Sequence, residues 1–173
     1  MPVPVPHLLR RLTTLLLLAL AWALPAASAL AATPSVAFVY AKDAPLAELH
    51  AFDIAVVDPD HGFDPVAYRG DAQPGEAGAS ELFAYVSIGE VHPSRSWAAR
   101  VPADWRIASN AAWASTVIDQ AAPGWAGFVA ETIVAPLWEK GYRGLFLDTL
   151  DSYRLASGAD MAAQQAGIVR TLR

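Results

Sequence analysis

Three carboxylates follow apolar runs in this chain: Asp58 after Ile54-Ala55-Val56-Val57, Glu90 after residues 82–88, and Asp148 after Leu145-Phe146-Leu147. Runs of this length and composition suit strands of a parallel sheet, and the last suits a strand buried on both faces. Loops converge on a ligand at the C-terminal edge of such a sheet, so an acid placed there is a candidate for chemistry. The decapeptide GLFLDTLDSY, residues 144–153, concentrates the signal. Thr149 and Asp151 follow Asp148 at once, and Tyr153 offers a ring on which a sugar could stack. The competing structural reading has Asp148 bonding local amides and Asp151 or Ser152 capping a helix.

Elements that would position these groups can be traced along the chain. Residues 36–40 predict a first strand ending at Tyr40, with Lys42 and Asp43 beyond it. Asp43 as N-cap, Pro45 in the first turn and the stripe Leu46, Leu49 and Phe52 predict a short helix, and residues 53–57 a second strand ending at Asp58, Asp60 and His61. Strand, helix, strand is the order of a βαβ unit. Between His61 and Ser80, Asp64-Pro65 and Pro74-Gly75 predict a long loop in place of a crossover helix. Residues 82–88 predict a third strand with Phe83, Tyr85 and Ser87 on one face, which gives Glu90 the place on its strand that Asp148 holds on the later one.

Residues 91–104, with Arg95, Trp97 and Arg100, predict a loop whose tryptophan is either a sugar platform or a cover for the core edge. Residues 105–108 and 116–119 carry weaker strand patterns. Trp125, Phe128, Val129, Thr132, Ile133, Leu137 and Trp138, spaced by three and four, predict a helix with a kink or a tightened last turn at Pro136. A final helix over 158–173 would turn Met161, Gln165, Ile168 and Leu172 to one side.

At the N-terminus, Arg10 and Arg11 precede an apolar stretch from Leu15 to Leu24, and Ala27-Ser28-Ala29 fits a cleavage pattern. This predicts a secretory signal peptide over 1–31 and a single folded remainder over 32–173, exported to the periplasm or beyond without a stable membrane anchor after cleavage. The formal net charge is −5, and losing the two leader arginines makes the remainder more acidic. An acidic chain is a poor nucleic-acid binder and suits a neutral or amine-bearing partner. With no cysteine there are no disulfides and no thiolate metal site. A metal site built from Asp58, His61, His92 and Asp148 lacks the i, i+4 histidine spacing of a helical metal motif.

FAYVSIGEV at 83–91, VAPLWEKGYRG at 134–144, FLDTLDSY at 146–153 and AFDIAVVDPDH at 51–61 together carry a likeness. Over about residues 36–165 the chain resembles the endo-α-1,4-polygalactosaminidases of glycoside hydrolase family 114 and the N-terminal hydrolase domains of Pel exopolysaccharide hydrolase/deacetylases. The resemblance implies an α/β fold of the (β/α)8 TIM-barrel type, with no metal or organic cofactor, cleaving a galactosamine- or N-acetylgalactosamine-containing polysaccharide. It makes Asp148 the catalytic aspartate and places Asp58, Tyr85, Glu90, Asp151 and Tyr153 on the cleft. Tyr40, at its own strand end, joins them as a substrate-binding candidate.

Glycoside hydrolysis uses two carboxyl groups, about 5 Å apart for retention or about 6.5 to 9.5 Å for inversion. The resemblance puts the second on a glutamate of a later strand, expected beyond residue 173. Among residues present, Glu90 is the substitute, while Asp151 is too close along the turn to face Asp148. A complete barrel takes about 200 residues or more, so the expectation is a partial barrel with its first four to five βα units. Open edges on such a piece invite self-association or pairing with a separate C-terminal half. The alternative function is a non-catalytic saccharide-binding or assembly module, or a degenerate remnant, keeping an acidic, aromatic-lined cleft.

Overall fold

A computed structural model describes residues 33–43, 46–70 and 80–173; the expected leader, Pro45 and the Pro74-Gly75 breaker lie outside the described residues. The strands in chain order are Val36–Val39 (β1), Ile54–Val57 (β2), Glu81–Ser87 (β3), Glu90–Val91 (β4), Arg106–Asn110 (β5), Ser115–Ile118 (β6) and Gly144–Asp148 (β7). Four of them form one parallel sheet in the order β1-β2-β3-β7. The β-branched and aliphatic residues of these short runs fit a pleated, packed surface.

Along β3 the pleat sends Leu82, Ala84 and Val86 into the core and leaves Phe83, Tyr85 and Ser87 half-buried on the opposite face. That second face is rolled inward. Phe38 on β1 and Phe146 on β7 have ring centroids 4.9 Å apart although two strands separate them. In a flat sheet, at about 4.8 Å per strand, β1 and β7 would lie roughly 14 Å apart. The Tyr85–Phe146 and Tyr40–Tyr85 ring pairs, at 6.3 Å and 5.1 Å, continue the same aromatic layer. β7 departs from the expected burial on both faces: all five residues are half-buried, because β7 is the last strand of this sheet among the described residues.

The two weak strand patterns are both strands, but they belong to a separate antiparallel sheet in the order β4-β6-β5. Only residues 111–114 join β5 to β6, too short a link for a parallel crossover and long enough for a hairpin. Glu90 therefore opens a strand of this second sheet instead of ending β3, which corrects its expected equivalence to Asp148; the register partner of Asp148 is Ser87.

The outer face of the parallel sheet is covered by a helix in three pieces: α-helical Trp125–Phe128, π-helical Val129–Val134 and α-helical Ala135–Glu139. Trp125, Val129, Ile133 and Leu137 are its buried stripe. The turn before Pro136 is widened, which removes the tightened last turn, one of the two expected forms. Proline has no N–H for the Thr132 carbonyl and crowds that turn, and the π geometry gives it room. Trp138 leaves the predicted stripe and lies half exposed, with the Arg143 guanidinium 4.4 Å from its ring centroid. Trp97 packs edge-on against Phe128 at 6.0 Å, so it covers the core edge.

Two further expectations change. The stretch after His61 contains a helix, Pro65–Gly70, because Asp64 Oδ1 accepts hydrogen bonds from Val66 N (2.8 Å) and Ala67 N (3.0 Å) and the proline opens the first turn. The breaker pair was a cap. The last helix, Met161–Thr171, starts under an Asp160 cap and buries Gln164 and Gly167, leaving Met161 and Leu172 exposed. It docks through polar groups: Gln120 N donates to Gln164 Oε1 (2.9 Å) and Gln164 Nε2 donates to Asp119 Oδ1 (2.6 Å). A Cβ on Gly167 would lie 1.9 Å from the Gln120 carbonyl oxygen, so only glycine permits the approach. A hydrophobic stripe could not have revealed a polar dock. Among the described residues, no helix is long and apolar enough to cross a membrane.

Candidate active site

β3 and β7 are neighbours, and their register brings Ser87 and Asp148 together at one edge of the sheet. Just past that edge the two strands are braced. Ile88 N donates to the Asp148 carbonyl (3.1 Å) and Gly89 N to Thr149 Oγ1 (2.9 Å), while the Thr149 hydroxyl donates to the Asp148 carbonyl (2.6 Å). Thr149 sits in the left-handed region at φ 63°, unusual for a β-branched residue. Gly89 lies so close beneath it that a Cβ there would meet the Thr149 carbonyl oxygen at 1.8 Å. Strain at one residue and a close approach at another thus hold the backbone that carries Asp148.

The Asp148 carboxylate takes a hydrogen bond on each oxygen. Tyr85 donates its hydroxyl proton to Oδ2 (2.6 Å), and Thr149 N donates to Oδ1 (2.7 Å). Burial first, then the hydrogen bond to Asp148 and its charge, push the Tyr85 phenol well above its usual range, so it keeps the proton it donates. Tyr40 meets the Tyr85 ring edge-on, and its own phenol is raised by burial and by the charges of Asp148 and Asp58. At the end of β2, Asp58 is gripped by Arg95 Nη1 at 2.7 Å, which also reaches Asp60 at 2.8 Å. Burial pushes the Asp58 carboxyl up, but the Arg95 and Asp60 hydrogen bonds and nearby positive charge bring it below the ordinary aspartate value.

Glu90 is almost fully buried at 5% exposure, and three neutral donors surround it. Asn110 Nδ2 (3.0 Å) and the Ser152 hydroxyl donate to Oε1, and the Ser115 hydroxyl donates to Oε2. Burial raises its carboxyl and so does the charge of Asp148, yet the three hydrogen bonds outweigh them and hold it below the ordinary glutamate value.

One cavity of about 880 Å³ gathers most of the sequence candidates: Tyr40, Asp58, Tyr85, Glu90, Asp148 and Asp151 all line it. Tyr153 does not. It is 2% exposed, because the turn Ser152–Leu155 sends its ring into the interior, so it cannot stack on a sugar as expected. Asp151 makes no capping hydrogen bond to that turn and lies exposed, 3.9 Å from Arg154. Arg95, Asn110, Trp113, Ser115 and Ser152 also line the cavity without having been singled out as site residues, and so does His92, weighed above only as a metal ligand. Of these, Asn110, Trp113 and Ser115 belong to the β5–β6 hairpin, legible only if the two weak strand patterns are read as a pair. Among the described residues no group of three or more His, Cys, Asp or Glu side chains stands together as a metal would need, and His92 Nδ1 is 2.6 Å from Ser94 Oγ in its own turn.

A family model described as glycoside-hydrolase family GH114 matches residues 21–172. Among solved structures, the glycoside hydrolase domain of PelA from Pseudomonas aeruginosa is similar at 38% identity and TM-score 0.66, covering 81% of this chain and 54% of that one. A glutamate-to-alanine variant of the same domain aligns with the same figures, 38% identity and TM-score 0.66. Ega3 from Aspergillus fumigatus, solved with galactosamine, is similar in fold at 13% identity and TM-score 0.57, covering 79% of this chain and 55% of that one. The chain therefore spans about half the length of these structures. No protein of curated function matches. The fold is α/β of the TIM-barrel type, present in part.

Proposed function

The chain belongs to glycoside-hydrolase family GH114, and from that premise we propose that it carries the cleft and one catalytic carboxylate, Asp148, of an enzyme hydrolysing a galactosamine-containing exopolysaccharide. The observation that carries this reading is the placement of Asp148 at a strand end, inside the large cavity, with a donor on each oxygen. Those two donors suit the negatively charged member of a carboxyl pair, which attacks or stabilises the sugar carbon as positive charge develops there. The other member must give a proton to the leaving oxygen. Glu90, expected as that partner, is poorly equipped for it: its carboxyl is held low and both oxygens are already occupied by donors. Glu90 is instead a positioning residue. The proton donor comes from the portion of the family fold that this chain does not span, in the same polypeptide or from a separate half that pairs with it.

Substrate chemistry follows from charge. Asp58 is neutralised by Arg95, whereas Asp148 and the exposed Asp151 present negative charge to the cavity, which favours sugars carrying free amines. The leader over residues 1–31 would deliver the protein to the periplasm or beyond, where an exported polymer is within reach. A second reading, a saccharide-binding module without turnover, is favoured by the occupied state of Glu90. A reducing-end assay on partially deacetylated galactosaminan, with the proton-donating portion of the family fold supplied on the same chain or as a separate piece, separates the two. Turnover abolished by Asp148→Ala supports the hydrolase; binding of the polymer without turnover supports the module.

A further inference from the structure

The buried Glu90 carboxylate ties together two stretches of chain that form the rim of the cavity. Through Asn110 and Ser115 it holds both ends of the β5–β6 hairpin, whose tip carries Trp113. Through Ser152 it holds the turn Ser152–Leu155, which is preceded by Asp151. The hairpin tip is further closed by Ala112 N donating to Asn110 Oδ1 (3.2 Å) and by Trp113 N donating to the Asn110 carbonyl (3.3 Å), with Ala114 at φ 50°. The result is an indole on a well-tied turn, 74% exposed, lining the same cavity as Asp148 and Asp151. Trp113 is the most exposed large apolar side chain among the described residues, and it forms no ring pair with another aromatic there. Trp97, Trp105 and Trp125, by contrast, pack into the core-edge aromatic cluster. An exposed tryptophan on a flexible tail would mean little, but a tethered one in a cavity that Asp148 and the loosely paired Asp151 also line is a platform for a ligand with an apolar face and a positive charge.

We propose that Trp113 forms an outer subsite that binds a hexosamine ring of the polymer at a position other than the bond cleaved at Asp148. The indole covers the C–H face of the pyranose ring, and Asp151 attracts its ammonium group, since the Asp151–Arg154 pair is long and exposed and leaves that carboxylate available. This rests on the hydrolase reading for the kind of ligand, and its test is arranged so that the two can fail separately.

The test is calorimetric titration of the intact chain with galactosamine, with galactosamine oligosaccharides and with their fully N-acetylated counterparts, supported by intrinsic tryptophan fluorescence. Trp113→Ala should weaken oligosaccharide binding about tenfold while leaving the monosaccharide unaffected, and Trp113→Phe should recover most of the loss. Asp151→Asn should narrow the preference for free amines over acetylated sugars. The exposed position of Trp113 keeps the variants folded, which an unchanged thermal midpoint would verify. If Trp113→Ala binds long oligosaccharides as the natural chain does, the subsite is wrong and the hydrolase reading stands. If the natural chain binds none of these sugars, both fall.

Discussion

The hydroxyl of Tyr85 lies 2.6 Å from Oδ2 of Asp148, across the seam between neighbouring parallel strands two register positions from their shared end. The contact ties the orientation of the carboxylate to β3, and its aromatic ring belongs to the layer that fills the rolled sheet. Removing it tests how much of the site depends on that hold. Tyr85→Phe keeps the ring and deletes one hydrogen bond to a charged group, a loss of about 1.5 to 3 kcal/mol. The expected outcome is a fall in kcat of roughly ten- to a hundredfold with KM little changed, measured by initial rates on galactosaminan with the proton-donating portion of the family fold present. An unaltered kcat would show that Asp148 needs no help from Tyr85.

Gly89→Ala should be among the most damaging single-methyl changes in the chain. Its Cβ would sit 1.8 Å from the Thr149 carbonyl oxygen, a backbone atom that cannot swing aside. Overpacking of this kind costs about 3 kcal/mol or more. Gly127→Ala is the control: nothing lies within 4 Å of its Cβ, and alanine favours a helix over glycine by about 1 kcal/mol. Urea denaturation of the two variants should give shifts of opposite sign.

The lowered carboxyl of Glu90 makes stability fall in acid. The folded protein releases this proton more readily than the unfolded chain does, so the stabilisation is present above the ordinary glutamate value of 4.5 and is lost as pH falls below it through the folded value. The lowered Asp58 carboxyl acts in the same direction. Denaturation midpoints measured from pH 7 downward should therefore drop, and Glu90→Gln should flatten part of that drop while lowering the midpoint at neutral pH. A Glu90→Gln profile parallel to the natural one would refute the assignment of Glu90 as a charged tie.

Tyr142 sends the opposite signal at the alkaline end. Its ring is fully buried, and its hydroxyl has no hydrogen-bond partner among the described residues. Burial, with the charges of Asp58, Asp64 and Asp60, pushes the phenol up to about 12. Ionisation is thus easier in the unfolded chain, and stability should decline between the ordinary tyrosine value of 10.0 and about 12. Tyr142→Phe should lessen that decline and stabilise the protein at neutral pH by about 1 kcal/mol, since an unsatisfied buried hydroxyl is removed. Thermal melts at pH 7 and above pH 10 would check both parts.

What the residue order determined by itself was local. The apolar runs before Asp58 and Asp148, and the three-and-four spacing from Trp125 to Leu137, declared strands and a helix, because burial of side chains at period two or 3.6 is written directly in residue type. Parallel strands ending in polar groups brought Tyr40, Asp58 and Asp148 to one edge, whereas Tyr85, inside β3, was placed on the cleft by the family resemblance. Tertiary structure decided whatever depended on a partner far along the chain. Glu90 looked like the equal of Asp148 until the hairpin and the turn at Ser152 closed around it, and Tyr153 looked like a sugar platform until its turn sent it inward. Gln164 and Gly167 joined a helix to Gln120 through polar groups and a close backbone approach. Hydrogen bonds among distant groups and van der Waals limits on backbone approach leave no periodic trace in a sequence, and only the folded chain brings their two ends together.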